Sequence, residues 1–81
     1  MGDAIWIGRY CIRACPEELA DGLGWSEHYF IEEHQGGHID EYIFTGRGTH
    51  ATRDAAVQAC FKLATVEIGK RTRQVGSANA I

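Results

Sequence analysis

The chain has 81 residues, of which 44% are hydrophobic and 23% are charged, and it carries a formal net charge of −3. This composition is typical of a folded domain and excludes a disordered chain. A chain of this length forms one domain at most and buries only about 60–65% of its unfolded surface, so self-association is a natural supplement to its small core.

The lack of a recognisable targeting signal and the odd number of cysteines predict a cytoplasmic location. No apolar run approaches the ~18 residues that a membrane-spanning helix needs. The start, Met1-Gly2-Asp3, lacks the basic and apolar regions of a signal peptide. The three cysteines are an odd number, which fits a reducing compartment better than a disulfide framework.

Residues 4–14 alternate in the manner of a single strand. One face carries large apolar side chains, which are Trp6, Tyr10 and Ile12. The other face carries Arg9, Cys11 and Arg13. Pro16 ends the strand because proline cannot donate to a sheet ladder. The connection at 16–24 has the composition for one helical turn over residues 16–20.

Residues 25–34 and 38–45 predict a hairpin around Gly36-Gly37, because two glycines supply the positive φ values of a type I′ turn. The two-residue loop sets the register, with Gln35 opposite His38, Glu33 opposite Asp40, Ile31 opposite Tyr42 and Tyr29 opposite Phe44. The face assigned to the core carries Trp25, Tyr29, Ile31, Tyr42 and Phe44. The mixed face, assigned to solvent or a partner, carries His28, Phe30, Glu32, His34, Ile39, Glu41 and Ile43.

After a bend at Gly46-Arg47-Gly48, the pattern predicts a helix from the N-cap candidate Thr52 to about Ile68, with Gly69 placed to end it. Its core positions are Val57, Phe61, Ala64 and Ile68. A second apolar arc consists of Ala55, Ala59, Leu63 and Val66. An ordinary surface helix has only one apolar stripe, so this arc is the candidate self-association surface.

The predicted fold is α+β: a three-stranded antiparallel sheet, with or without one short added element, and a long C-terminal helix packed on one face. Residues 1–69 form the single domain, and residues 70–81 form a basic and then polar flexible tail. Phe61→Ala is expected to be among the most damaging substitutions, at about 3–5 kcal/mol.

The mixed face of the hairpin invites a metal interpretation. His28, Glu32 and His34 share one side of a strand, and the opposed carboxylates of Glu32 and Glu41 repel each other. Same-face neighbours lie about 7 Å apart, so the two histidines cannot share one ion unaided. We favour a face whose acids are balanced by Arg9 and Arg13 on the first strand, and we expect no metal and no cofactor.

The sequence also predicts no enzyme activity and no small-molecule substrate. It contains no Gly-x-Ser-x-Gly nucleophile elbow. Cys11, Cys15 and Cys60 all lack a sequence context that would activate a thiol, and Cys60 falls at a core position of the helix, where cysteine is usually a small buried hydrophobe.

Glycines before a helix can hold phosphate through backbone N–H groups, and Gly46-Arg47-Gly48 occupies that place. The spacing matches neither the Walker nor the dinucleotide-binding motif, so a plain strand-to-helix bend is the alternative. The candidate anion or nucleic-acid contacts are Arg47, Thr49, Arg53, Lys70, Arg71 and Arg73.

The order strand, strand, strand, helix resembles the second half of a double-stranded RNA-binding domain. It is also similar to the DNA-binding modules at the N-termini of some phage integrases. The matching positions are Gly46, Gly48, Ala55, Ala56 and Ala59. The resemblance covers residues 25–68 and implies phosphate contacts at the helix start, where Ala51 and Thr52 replace that family's paired lysines. More broadly, the chain resembles short α+β proteins of bacterial genomes.

Two functional hypotheses follow. The first is a non-enzymatic protein-interaction module that forms a homodimer, or binds another protein, through the second apolar arc of its helix. The second is a weak nucleic-acid-binding module that uses the helix N-terminus and the basic C-terminal segment. The net charge of −3 argues against strong nucleic-acid binding, whose affinity comes mainly from phosphate contacts.

Overall fold

Alternating apolar residues and glycine turns fold the chain into one antiparallel sheet covered on one face by a helix. The computed structural model describes the backbone of residues 3–80 and the side chains of residues 3–72. The elements are β1 (Ala4–Ile7), β2 (Tyr10–Ala14), a 3-10 turn (Ala20–Gly22), β3 (Trp25–Gln35), β4 (His38–His50) and α1 (Arg53–Ala80). The sheet order is β1-β2-β3-β4. The predicted α+β class is confirmed, with four strands instead of three.

The segment predicted as one strand is a hairpin that turns at Gly8-Arg9. Gly8 has a φ of 58°, which glycine adopts without strain. The two-residue turn places Trp6 opposite Cys11, so the even-numbered residues of β1 share a face with the odd-numbered residues of β2. Trp6 therefore lies on the face away from the helix and is 60% exposed, while Ile5 and Ile7 pack against the core. The assignment of Trp6 to the core was wrong.

The β3–β4 hairpin has the predicted register, and all four predicted pairs are confirmed. Of the two turn glycines, Gly36 alone has a positive φ, of 47°. That is the pattern of a type II′ turn rather than type I′. The predicted core face is also confirmed: Tyr29 and Ile31 are buried, and the other three members are half-buried.

The predicted bend at Gly46-Arg47-Gly48 was wrong, because β4 continues through it to His50. The β3–β4 ladder is irregular at this point. Its register shifts between Ser26 and His28, so that Glu27 faces the glycine segment of β4. In the preceding connection, the helical turn lies at Ala20–Gly22, just after the predicted position.

Helix α1 begins as predicted, since the Ala55 backbone N–H donates to Oγ1 of the N-cap residue Thr52 at 3.1 Å. The buried side chains of α1 are Ala56, Val57, Cys60, Ala64 and Ile68. Phe61 is only half-buried. In the described part of the chain, no helix is long and apolar enough to cross a membrane.

The helix does not end at Gly69, and the predicted boundary between domain and tail falls inside α1. Gly69 keeps a negative φ, and an interior glycine costs a helix only about 1 kcal/mol. Arg71 gives the next turn a tertiary contact, because its guanidinium lies 3.9 Å from the centre of the Tyr42 ring.

Replacing Gly69 by alanine is expected to stabilise the protein by about 0.5–1 kcal/mol, since alanine is the better helix former. A Cβ at this position meets nothing within 4 Å. Urea denaturation of both proteins measures the difference. Gly36→Ala is the matched control and should destabilise, because its φ of 47° disfavours a side chain. A helix that stopped at Gly69 in a left-handed conformation would lose stability on the same substitution.

Candidate functional site

Glu27 is a buried carboxylate on the helix-facing side of β3, with 8% of its surface exposed. The Gly48 backbone N–H donates to its Oε1 at 3.0 Å. His50 Nε2 donates to its Oε2 at 2.6 Å. Both carboxylate oxygens thus have partners on β4, as a buried charged group requires. We call this group, consisting of Glu27, Gly46, Gly48 and His50, the glutamate site.

The two glycines of the glutamate site leave room for the carboxylate. A Cβ at Gly46 would overlap Glu27 Oε1 and lie 2.9 Å from Leu63 Cδ1. A Cβ at Gly48 would lie 2.5 Å from Glu27 Oε2. The Gly-x-Gly motif therefore serves close packing inside the sheet, whereas the sequence suggested a bend or a phosphate loop. The missed signal was Glu27 itself, an acid that alternates with Trp25 and Tyr29 on the core face.

The thiols near the core are protonated rather than activated. Cys60 is fully buried, and burial, assisted by the negative charge of Glu27, raises its pKa to about 11. Its Sγ–H donates to the His28 carbonyl at 3.5 Å. Burial also raises the pKa of the Cys11 thiol. A nucleophilic cysteine needs a lowered pKa, whereas the surroundings of Cys11 and Cys60 raise it.

The outer face of the sheet balances its acids largely with arginine and histidine. Glu32 lies opposite Glu41, as predicted. Arg13 Nε lies 3.3 Å from Glu32 Oε2, and His34 Nε2 lies 3.3 Å from its Oε1. Arg9, which was expected to balance this face, pairs instead with Glu33 on the helix-facing side of β3, at 3.9 Å. Among the residues that the structure describes, no three His, Cys, Asp or Glu side chains are grouped to hold a metal ion.

The candidate anion contacts are spread over three parts of the molecule. Arg47 and Thr49 are exposed on β4, on the face opposite the helix. Arg53 begins α1 and pairs with Asp3 at 2.6 Å. Lys70 and Arg71 lie about 25 Å further along the helix, at ~1.5 Å per residue. The side chain of Arg73 lies outside the described residues. The structure thus does not bring these side chains together.

An open cleft of about 330 Å³ lies between β2 and the start of α1. Arg13 and Arg53 both line it and give it a positive character. Each arginine already pairs with an acid, Arg13 with Glu32 and Arg53 with Asp3. The chain's own carboxylates therefore neutralise both arginines of the cleft.

The predicted self-association residues form a flank of the helix that is exposed except at the half-buried Ala59, and we call it the helix arc (Ala55, Ala59, Leu63 and Val66). Val66 is 56% exposed and Leu63 is 37% exposed. Leu63 also lies next to Gly46 of β4, so the arc runs along the side of the helix that overlies this strand. In the sheet order, β4 is an edge strand. The arc and this edge are therefore neighbouring surfaces.

Comparison with protein-family models, with curated proteins and with solved structures gives no match.

Proposed function

We propose that this protein is an interaction module that associates with a second copy of itself through the helix arc. The observation that supports the proposal is the exposure of Leu63 and Val66 beside the edge strand β4. Ala55 and Ala59 are small, so they allow another helix or side chain to approach closely. A small domain with a limited core gains stability when such an apolar surface is covered.

The size of a stable interface indicates that the arc is one part of a larger contact. A specific dimer buries about 800 Å² of each partner. The surface of this protein is 5539 Å², so that contact would take roughly one seventh of it. Two small and two large apolar side chains cannot supply this area alone. The neighbouring edge of β4 is the natural extension.

The enzyme-free interpretation has two supports. The buried thiol of Cys60 has a raised pKa, which disfavours nucleophilic attack. Glu27 and His50 bind each other within the sheet, where the carboxylate is almost fully enclosed.

Cys11, Cys15 and Cys60 are free thiols, which supports a reducing compartment such as the cytoplasm.

Nucleic-acid binding, through the dispersed cationic positions described above, stays a prediction with less support. Non-specific affinity requires several phosphate contacts made at once. Arg53 is engaged by Asp3, and Arg71 packs on Tyr42, far along the helix. A homodimer with a covered helix arc is the better-supported function.

We expect sedimentation equilibrium to give a dimer mass at high micromolar concentration. Val66→Lys should raise the dimer dissociation constant about ten-fold or more, because the new charge would have to be desolvated. Thr65→Lys is the control: it adds the same charge at the preceding position, which is exposed and lies outside the helix arc. A wild-type protein that keeps its monomer mass would remove the homodimer proposal, and equal effects of the two lysines would remove the arc from it.

A further inference from the structure

β4 offers a long row of backbone groups at the edge of the sheet. It spans His38–His50, whereas the opposite edge strand, β1, has only four residues. No strand in the described part of the chain pairs with the outer side of β4. Its sequence contains neither proline nor lysine, the residues that commonly protect sheet edges from pairing.

The hydrogen-bond pattern shows which backbone groups are directed outward. Gln35 and His38 close a two-residue hairpin, so they form a hydrogen-bonded pair, and every second pair along the ladder does the same. The intervening residues of β4, which include Ile39, Glu41, Ile43 and Thr45, direct N–H and C=O away from β3. The Cys15 N–H donates to the His28 carbonyl at 2.8 Å, which agrees with a non-hydrogen-bonded pair between His28 and Thr45.

One antiparallel register lets the whole of β4 pair with the same strand of a second copy. It places His38 opposite His50 of the partner subunit and Phe44 opposite itself. In this register Glu41 lies opposite Arg47 of the partner subunit, and the two-fold axis repeats the contact. Moving the axis by one residue would put Glu41 opposite a threonine, either Thr45 or Thr49 of the partner subunit. The register of greatest overlap is thus also the register of opposite charges.

The two charged side chains are available for this contact. Glu41 and Arg47 are both exposed and lie on the same face of β4. Neither takes part in an ion pair among the described residues. Arg13 and His34 both pair with Glu32 and not with Glu41. Gly46-Arg47-Gly48 is the bulged part of β4, with three residues opposite Glu27 alone, yet neither glycine has a positive φ and the strand continues through them to His50.

We infer that the second copy binds along β4 and joins two four-stranded sheets into one continuous antiparallel sheet, with Glu41 against Arg47 of the partner subunit. The inference rests on the proposed self-association and names its geometry. A two-fold axis perpendicular to the sheet places both helices on the same face. Leu63 overlies Gly46 of β4, so each helix arc turns towards the axis. The strand edge and the helix arc then form one interface.

Charge reversal tests this geometry. Glu41→Arg and Arg47→Glu each place like charges opposite one another twice, and each should raise the dimer dissociation constant about ten-fold, measured by sedimentation equilibrium at low salt. Mixing the two single variants should restore association, because both contacts of the heterodimer are then between opposite charges. The double variant should likewise associate as the wild type does. Glu17→Arg, an equal change of charge on an exposed loop residue, is the control and should have no effect.

Each result bears on a different claim. Loss in both single variants with recovery in the mixture supports edge pairing in the stated register. A wild-type dimer that ignores both reversals overturns edge pairing and leaves self-association through the helix arc standing. A wild-type monomer overturns both proposals. Circular dichroism of the variants should match the wild type, since both side chains are exposed. Thermal denaturation should match it at concentrations low enough for the wild type to be monomeric.

Discussion

Replacing Ile31 by alanine is expected to lower the free energy of unfolding by about 2–5 kcal/mol. Ile31 lies on the central strand β3, between Ile12 and Tyr42 of the flanking strands, and its side chain is fully buried. Truncation removes apolar contacts and leaves a cavity that the sheet and helix cannot close completely. Urea denaturation followed by circular dichroism measures the change.

Three further variants provide the comparison for this result. Ile31→Val should cost only about 0.5–1.5 kcal/mol, because it removes one methylene from the same place. Leu23→Ala should cost little, since Leu23 is 67% exposed in a turn. Phe61→Ala, which the sequence ranked among the most damaging changes, should cost less than Ile31→Ala because Phe61 is half-buried. If Ile31→Ala and Leu23→Ala had the same effect, the core would not lie where the structure places it.

The register of the long hairpin could be predicted because local rules determine it. A two-residue loop at Gly36-Gly37 allows one pairing, and the alternation of Tyr29, Ile31, Tyr42 and Phe44 agrees with it. The start of the helix was likewise predictable from Thr52, because capping is a contact between near neighbours. Short-range signals were therefore reliable in this chain.

The misplaced elements depended on choices that no local pattern determines. Gly8 can continue a strand or reverse it, and the reversal moved Trp6 to the other face. Gly69 can end a helix or lie within one. Here the helix continues, and Arg71 in the next turn contacts Tyr42, which is distant in sequence. Glycine permits both outcomes in each case, so tertiary packing decides.

The glutamate site could not be predicted because its parts are distant in sequence. Glu27 lies 21 residues from Gly48 and 23 from His50. The same two glycines suggested a loop because Gly-x-Gly before a helix is a known phosphate motif. Glu27 alternates with the core residues of β3, and its carboxylate occupies the space that a side chain at Gly46 or Gly48 would need.

Gly48→Ala is expected to lower the free energy of unfolding by about 1–3 kcal/mol, because the added methyl group forces the buried carboxylate of Glu27 out of position. Outside the adjacent residues, the three atoms nearest to the new Cβ, at 2.5, 2.9 and 3.2 Å, all belong to Glu27. The backbone itself tolerates alanine, since the φ of Gly48 is not positive. Urea denaturation of the single variant gives the first measurement.

A double-mutant cycle then identifies the cause. Glu27→Ala alone should also destabilise, by about 1–3 kcal/mol, because the Gly48 N–H and His50 lose their acceptor. In that background the clash has gone, so adding Gly48→Ala should cost almost nothing, and the coupling energy between the two positions should be about 1–3 kcal/mol. Gly37→Ala is the control: its Cβ meets nothing within 4 Å, and its effect should simply add to that of Glu27→Ala. Additive behaviour of Gly48→Ala and Glu27→Ala would instead show that the glycine does not serve the carboxylate, and that the close packing of β3 on β4 has another origin.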